Sequence, residues 1–287
     1  MNKSKTTPLH LARELTANDV FVDNEIICLV KNGEPATGRV TAHYEDGAVD
    51  FHVQVYNGKR HGLYEEFFEN GDLRYWCRYW HDKKDFYDER YDKYGRLIQS
   101  DCWQNGVLDG RCESYELGQI SAIEEYKDGM RHGLWETYGP RKVTFFHGRY
   151  VEDQPEGWHV WRYANNNVES EYHFKAGVRT GRWRDFYGNR QLKRERTYSD
   201  GLRVGKDRTY YENGVMRLEA SYDDGVLDGL LFEWHPNGIL KRATPYSEGQ
   251  IDGTEEFYDP RLMKLRQIQW RRDEAVSDLN YLFGTHP

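Results

Sequence analysis

The chain has 287 residues, of which 38% are hydrophobic and 15% aromatic, with 27 glycines, four cysteines and a formal net charge of −8. Size alone would admit two globular domains, but aliphatic residues are too scarce for two deep cores. The acidic balance disfavours a nucleic-acid or anionic-membrane binder, and no stretch approaches the ~20 apolar residues of a spanning helix.

In chain order, residues 8–20 place Leu9, Leu11, Ala12 and Leu15 among Arg13 and Glu14, the pattern of a short amphipathic helix. Residues 1–25 therefore read as an N-terminal cap. No apolar core follows Lys3 and Lys5, so no signal peptide is expected and the cytoplasm is the expected location.

From residue 26 to 260 a unit of about 24 residues recurs: aromatic-x-x-Gly-x-x-x-Gly, a short alternating run, a third Gly, and a second run to the next aromatic. Tyr198, Tyr222 and Tyr246 lead three successive units, and Gly177, Gly201, Gly225 and Gly249 are each 24 apart. About ten such units are legible, the weakest at Gly33, Gly38, Tyr44 and Gly47. A fixed period of this size marks an array in which each unit completes its neighbour's core. Asn70-Gly71, Asn213-Gly214 and Asn237-Gly238 are expected to supply the positive-φ positions of tight hairpin turns. One unit is then one β-hairpin. The fold class expected is all-β, an elongated repeat array of antiparallel β-hairpins with short helical terminal caps.

Two departures interrupt the pattern. Residues 80–95 lose both leading glycines. Between Gly133 and Gly157 the register breaks, and residues 151–156 read as an inserted loop projecting from the array. At the far end, residues 261–287 read as a C-terminal cap, with a helix over 272–283. Cys28, Cys77, Cys102 and Cys112 share no metal-type spacing and read as free thiols.

Three residues past the second glycine the series runs Glu65, Glu113, Glu136, then Arg184, Arg208, then Glu256. A position that stays charged while changing sign faces solvent, and is one a partner can read electrostatically. Trp135 and Trp183 stand three residues before Tyr138 and Phe186, which puts rings on both faces of a sheet unless a bulge realigns them. Trp135, Trp161, Trp183 and Trp234 are accordingly candidate binding anchors. No phosphate loop, dinucleotide fingerprint or nucleophile elbow is present. His61 and His132 share a slot that other units fill with Asp109, Thr180 or Val204, which argues against metal ligation. No catalytic residue, metal site or cofactor is expected, and the chain reads as a binding protein rather than an enzyme.

The unit from Tyr198 to Gly214 resembles the MORN repeat, particularly the bacterial variant of YwqK-type antitoxins. That resemblance covers residues 26 to 260 and implies an array of antiparallel hairpins. It also implies an antitoxin or immunity protein that neutralises a cognate protein toxin by direct binding, and the acidic charge suits a basic toxin. The alternative implied is a MORN-type scaffold or membrane-associated adaptor. Its basic patch would come from Arg190, Lys193, Arg194 and Arg196, or from Arg261, Lys264, Arg266, Arg271 and Arg272.

Overall fold

The computed structural model describes residues 14–23, 26–261 and 264–280. The chain divides between Tyr138 and Gly139 into two compact units, each an antiparallel meander of hairpins.

The turns explain the period. Asp200 and Gly201 have φ of 47° and 84°. A two-residue turn with both φ positive carries the same twist as the strands it joins. The same pair recurs at Asn57-Gly58, Asn105-Gly106, Asp128-Gly129, Ala176-Gly177, Asp224-Gly225 and Glu248-Gly249. It recurs also without glycine, at His81-Asp82, Glu152-Asp153 and Arg272-Asp273. Its second residue falls at 58, 82, 106, 129, 153, 177, 201, 225, 249 and 273, so every step but one is 24 residues.

The break expected between Gly133 and Gly157 is therefore no break. Aspartate tolerates the left-handed region, so Asp153 takes the glycine's place, with Tyr150 as the leading aromatic and Gly157 as the second glycine. Residues 151–156 are not an inserted loop but belong to the tight hairpin of Thr144–Val151 and Gln154–Arg162. The one slip in phase lies between 106 and 129. There Leu117-Gly118 (φ 51° and 77°) replaces the longer turn that closes the other units.

That longer turn also departs from expectation. Gly71, Gly214 and Gly238 have φ of 84–85°, but the asparagines before them are not left-handed. Each serves by its side chain instead. Asn213 Oδ1 accepts from Val215 N at 3.0 Å, and its Nδ2 donates to Pro236 O at 3.1 Å in the following unit. Tyr163, Tyr187 and Tyr211 likewise donate their hydroxyls to the carbonyls of Phe186, Tyr210 and Trp234, each 23 residues on, at 2.8–2.9 Å. These bonds tie each unit to the next.

No helix forms over the described part of the predicted N-terminal cap. Glu14–Thr16 is a strand lying parallel to Gly38–His43, and only Ala17–Asp19 makes one 3-10 turn. Residues 8–13 lie outside the described residues. Pairing and burial override local helical periodicity here. Leu15 is 5% exposed in an aliphatic cluster with Ala36, Val40, Val53 and Val55. The C-terminal helix is also absent: Lys264–Arg271 and Glu274–Asn280 form one more hairpin around Arg272-Asp273. Residues 281–283 lie outside the described residues.

Elsewhere the core mixes small and aliphatic side chains with polar and aromatic ones. The residue two past the second glycine is its centre, and its occupants include Tyr64, Asp88, Cys112, Trp135, His159, Trp183, Asp207 and Glu255. Asp88, His159, Asp207 and Glu255 are 4%, 1%, 4% and 3% exposed. Burying a carboxylate demands a partner. Asp88 accepts from Lys84 at 2.6 Å and Tyr75 at 2.8 Å, Asp207 from both Nε and Nη2 of Arg194 at 3.0 and 2.7 Å, and Glu255 faces Arg242 at 2.8 Å.

Candidate binding surface

Strand alternation puts the residues beside this core slot on the opposite face. In the N-terminal unit His52, Glu65, Trp76, Glu89, Ser100, Glu113, Ile123 and Glu136 are successive cross-strand partners. Glu65, Glu113 and Glu136, singled out from the sequence, thus stand in one row. Glu89 stands with them. It belongs to the unit that lost its glycines, so glycine-to-charge spacing missed it; the signal was its position 24 residues after Glu65 and before Glu113. Four glutamates recur every second strand, about 9.6 Å apart.

The cross-strand partners between the glutamates, Trp76, Ser100 and Ile123, are uncharged. Arg39 approaches Glu65 at 3.6 Å and Arg111 approaches Glu113 at 2.6 Å, both from beside the row. Trp76 Nε1 donates to Glu89 Oε2 at 2.8 Å, and Tyr91, Tyr115 and Tyr138 donate their hydroxyls to Glu89, Glu113 and Glu136. Burial, and then those bonds, push the Tyr115 and Tyr138 phenols up to about 12. They stay protonated donors at neutral pH and fix the Glu113 and Glu136 carboxylates in place.

The C-terminal unit uses the same slot differently. Glu171, Arg184, Glu195, Arg208 and Glu219 are successive partners of alternating sign. Arg184 pairs with Glu171, and Arg208 Nε is 2.8 Å from Glu219 Oε2. Glu256 lies further along, 2.6 Å from Lys264. Arg184 and Arg208 therefore face carboxylates of their own sheet.

The four candidate tryptophans are not exposed anchors. Trp183 is 9% exposed and stacks on Tyr172 at 4.2 Å and 13°. Trp135 occupies the same core slot, half-buried beside Tyr126 at 5.7 Å. Trp161 packs on Phe146 and Tyr172 at 5.0 and 5.3 Å, and Trp234 on Phe232 at 5.7 Å. Rings do occupy both faces, since Tyr115 and Tyr138 lie in the glutamate row. A bulge precedes the ring in most repeats, as between Asp185 and Phe186.

Exposed rings occur elsewhere. Phe86 and Tyr87, edge to face at 5.0 Å, are 53% and 43% exposed. Phe86 fills a second-glycine slot with φ of 91°. A phenylalanine held there is strained, and retained strain points to function. By alternation Tyr87 shares the face of Glu89.

The basic clusters are partly paired. Arg194 and Arg196 face Asp207 and Asp185, Arg261 faces Asp259, Lys264 faces Glu256 and Arg266 faces Asp278. Among the described residues no helix is long and apolar enough to cross a membrane.

No curated protein matches the chain. Among solved structures, that of TcdB2-TccC3-Cdc42 aligns at 11% identity over 91% of this chain and 15% of that one, with a TM-score of 0.19. That of TcdB2-TccC3-TEV aligns at 11% identity over 85% and 14%, with a TM-score of 0.18. The chain thus spans about 15% of the length of the first of these, and likenesses this slight bear on neither fold nor function. The repeat itself is matched: residues 60–81, 203–224 and 227–248 each fit the family described as MORN repeat variant, which places MORN-variant repeats in both units of the chain.

Proposed function

We propose that this repeat-based binding scaffold has no chemistry of its own and docks a basic protein partner on the glutamate face of its N-terminal unit. The observation that carries the reading is the row Glu65, Glu89, Glu113 and Glu136, four like charges alternating with uncharged cross-strand partners and, at Glu89, Glu113 and Glu136, held by tyrosine hydroxyls. Electrostatic complementarity of this kind governs encounter rate and partner choice more than raw affinity. Phe86 and Tyr87 supply the exposed rings around which binding energy concentrates.

The finer reading is an antitoxin or immunity protein acting in the cytoplasm, whose partner is a basic toxin blocked by direct contact. It rests on the resemblance of the repeat together with this acidic face. The adaptor alternative requires a free basic surface, which the pairing of Arg194, Arg196 and Arg266 with carboxylates reduces.

A tagged pull-down from the native cell, with mass spectrometry of stoichiometric partners, tests the proposal. One basic protein is expected, and Glu89→Lys with Glu113→Lys should slow its association at least tenfold while leaving the fold intact. Association that is unchanged by this double reversal removes the glutamate face as the docking site. A captured partner that does not arrest growth when expressed alone removes the antitoxin reading.

A further inference from the structure

The C-terminal unit carries a groove of about 440 Å³ with two exposed cations, Lys193 and Arg217, in its lining. Its floor is Tyr172 and Asp185 with Arg194 and Arg196. Asp185 accepts from Tyr172 at 2.5 Å and from Arg196 at 2.5 Å, while Asp207 holds Arg194. Both guanidinium groups are thereby fixed in orientation, and Arg196 Nε is left buried without an acceptor. Guanidinium donors fixed in this way are suited to receiving an anion.

The rim is periodic. Glu169, Lys193 and Arg217 line the groove at the same slot of three successive repeats, and all three are exposed. Lys193 Nζ lies 5.7 Å from the centre of the Tyr187 ring, and the Arg217 guanidinium lies 5.8 Å from that of Tyr211. Neither is in an ion pair among the described residues. Two exposed cations over aromatic rings thus stand side by side on one rim.

Neighbouring slots are two strands apart, about 9.6 Å. A polyproline-II segment advances about 9.3 Å in three residues and brings residues i and i+3 to the same side. Such a segment crossing the strands would place one side chain at each slot, with aromatic rims of the kind that receive proline-rich chains. We infer that this groove binds an extended polyproline-II peptide carrying acidic residues three apart opposite Lys193 and Arg217, and a basic residue three further on opposite Glu169.

The test is fluorescence anisotropy of the full chain with a fluorescein-labelled peptide, Arg-Pro-Pro-Glu-Pro-Pro-Glu-Pro-Pro. Saturable binding is expected, weakened at least tenfold by Lys193→Glu with Arg217→Glu and to a smaller extent by the glutamine pair at the same positions. Glu169→Arg should shift preference to a peptide headed by Glu instead of Arg. The three side chains are exposed, so these changes leave the core untouched. Absence of saturable binding would overturn the inference, as would equal binding of a peptide whose two glutamates are adjacent. Displacement of the peptide by a single-stranded oligonucleotide of equal length would assign the groove to a phosphate backbone instead and overturn it too.

Discussion

The two units are built on one repeat but use its charged slot in opposite ways. The N-terminal unit stacks Glu65, Glu89, Glu113 and Glu136 with neutral residues between, whereas the C-terminal unit alternates Glu171, Arg184, Glu195, Arg208 and Glu219. Alternation neutralises the second row within its own sheet, and exposed pairs of this kind contribute little stability each. The uniform row has no such neutralisation between neighbouring members and presents one sign of charge along its length. A shared backbone period therefore does not imply a shared surface role.

Substitutions can break this contrast, and the largest effect belongs to the core slot of the C-terminal unit. Asp207→Ala strands Arg194 and Arg203 beside a 4% exposed position, and should cost about 3 kcal/mol in urea denaturation. Glu113→Gln in the N-terminal row should change stability by no more than about 0.5 kcal/mol; comparable losses from the two changes would erase the distinction.

Phe86→Gly comes next. Releasing a phenylalanine from φ 91° should raise stability by about 1 kcal/mol, read as a higher urea midpoint, while weakening capture of the partner. A gain in stability with undiminished capture would make Phe86 a tolerated accident.

Acid should then separate the units. Burial, with His81 and Arg78 nearby, holds His61 below its ordinary value, and burial with Arg39 nearby does the same for His52. A histidine depressed by folding contributes stability above its unfolded value of about 6.5, and loses it as pH falls through the folded value. In the C-terminal unit, hydrogen bonds from Lys264 and Tyr258 hold the Glu256 carboxyl low. By the same sign, its contribution is present above about 4.3 and lost only below that. Between pH 6.5 and 4.5 hydrogen exchange, corrected for intrinsic rates, should rise first in the N-terminal unit, and His61→Phe should blunt the rise. Smallest of all, Arg208→Ala should cost about 0.5 kcal/mol, since its partner Glu219 is a half-buried surface residue that Lys206 also reaches at 3.0 Å.

Much of this was legible in the residues. The first-glycine turns and the glycine-to-charge spacing located the hairpins and three of the four glutamates. What stayed hidden follows from chemistry shared between residue types. Aspartate enters the left-handed region readily enough to replace glycine, so a count keyed to glycine read a degenerate unit at Asp82, lost its phase at Asp153 and missed the final hairpin at Asp273. Trp270, three residues before that turn, was the surviving mark. Trp135 and Trp183 looked like anchors in isolation, yet aligning the repeats by turn puts them in the slot of buried Asp88, His159 and Asp207. The helix expected around Leu15 failed because a strand partner and an aliphatic pocket outweigh local periodicity.

The hydroxyl and amide bonds that reach 23 residues ahead have a consequence for how such a chain changes length. Excising residues 188–211 would bring Tyr187 to the carbonyl of Trp234, the acceptor Tyr211 now uses. Insertions and deletions of whole units are therefore conformationally silent where shorter ones are not, and the binding faces can be lengthened or trimmed like a ruler, in increments of two strands.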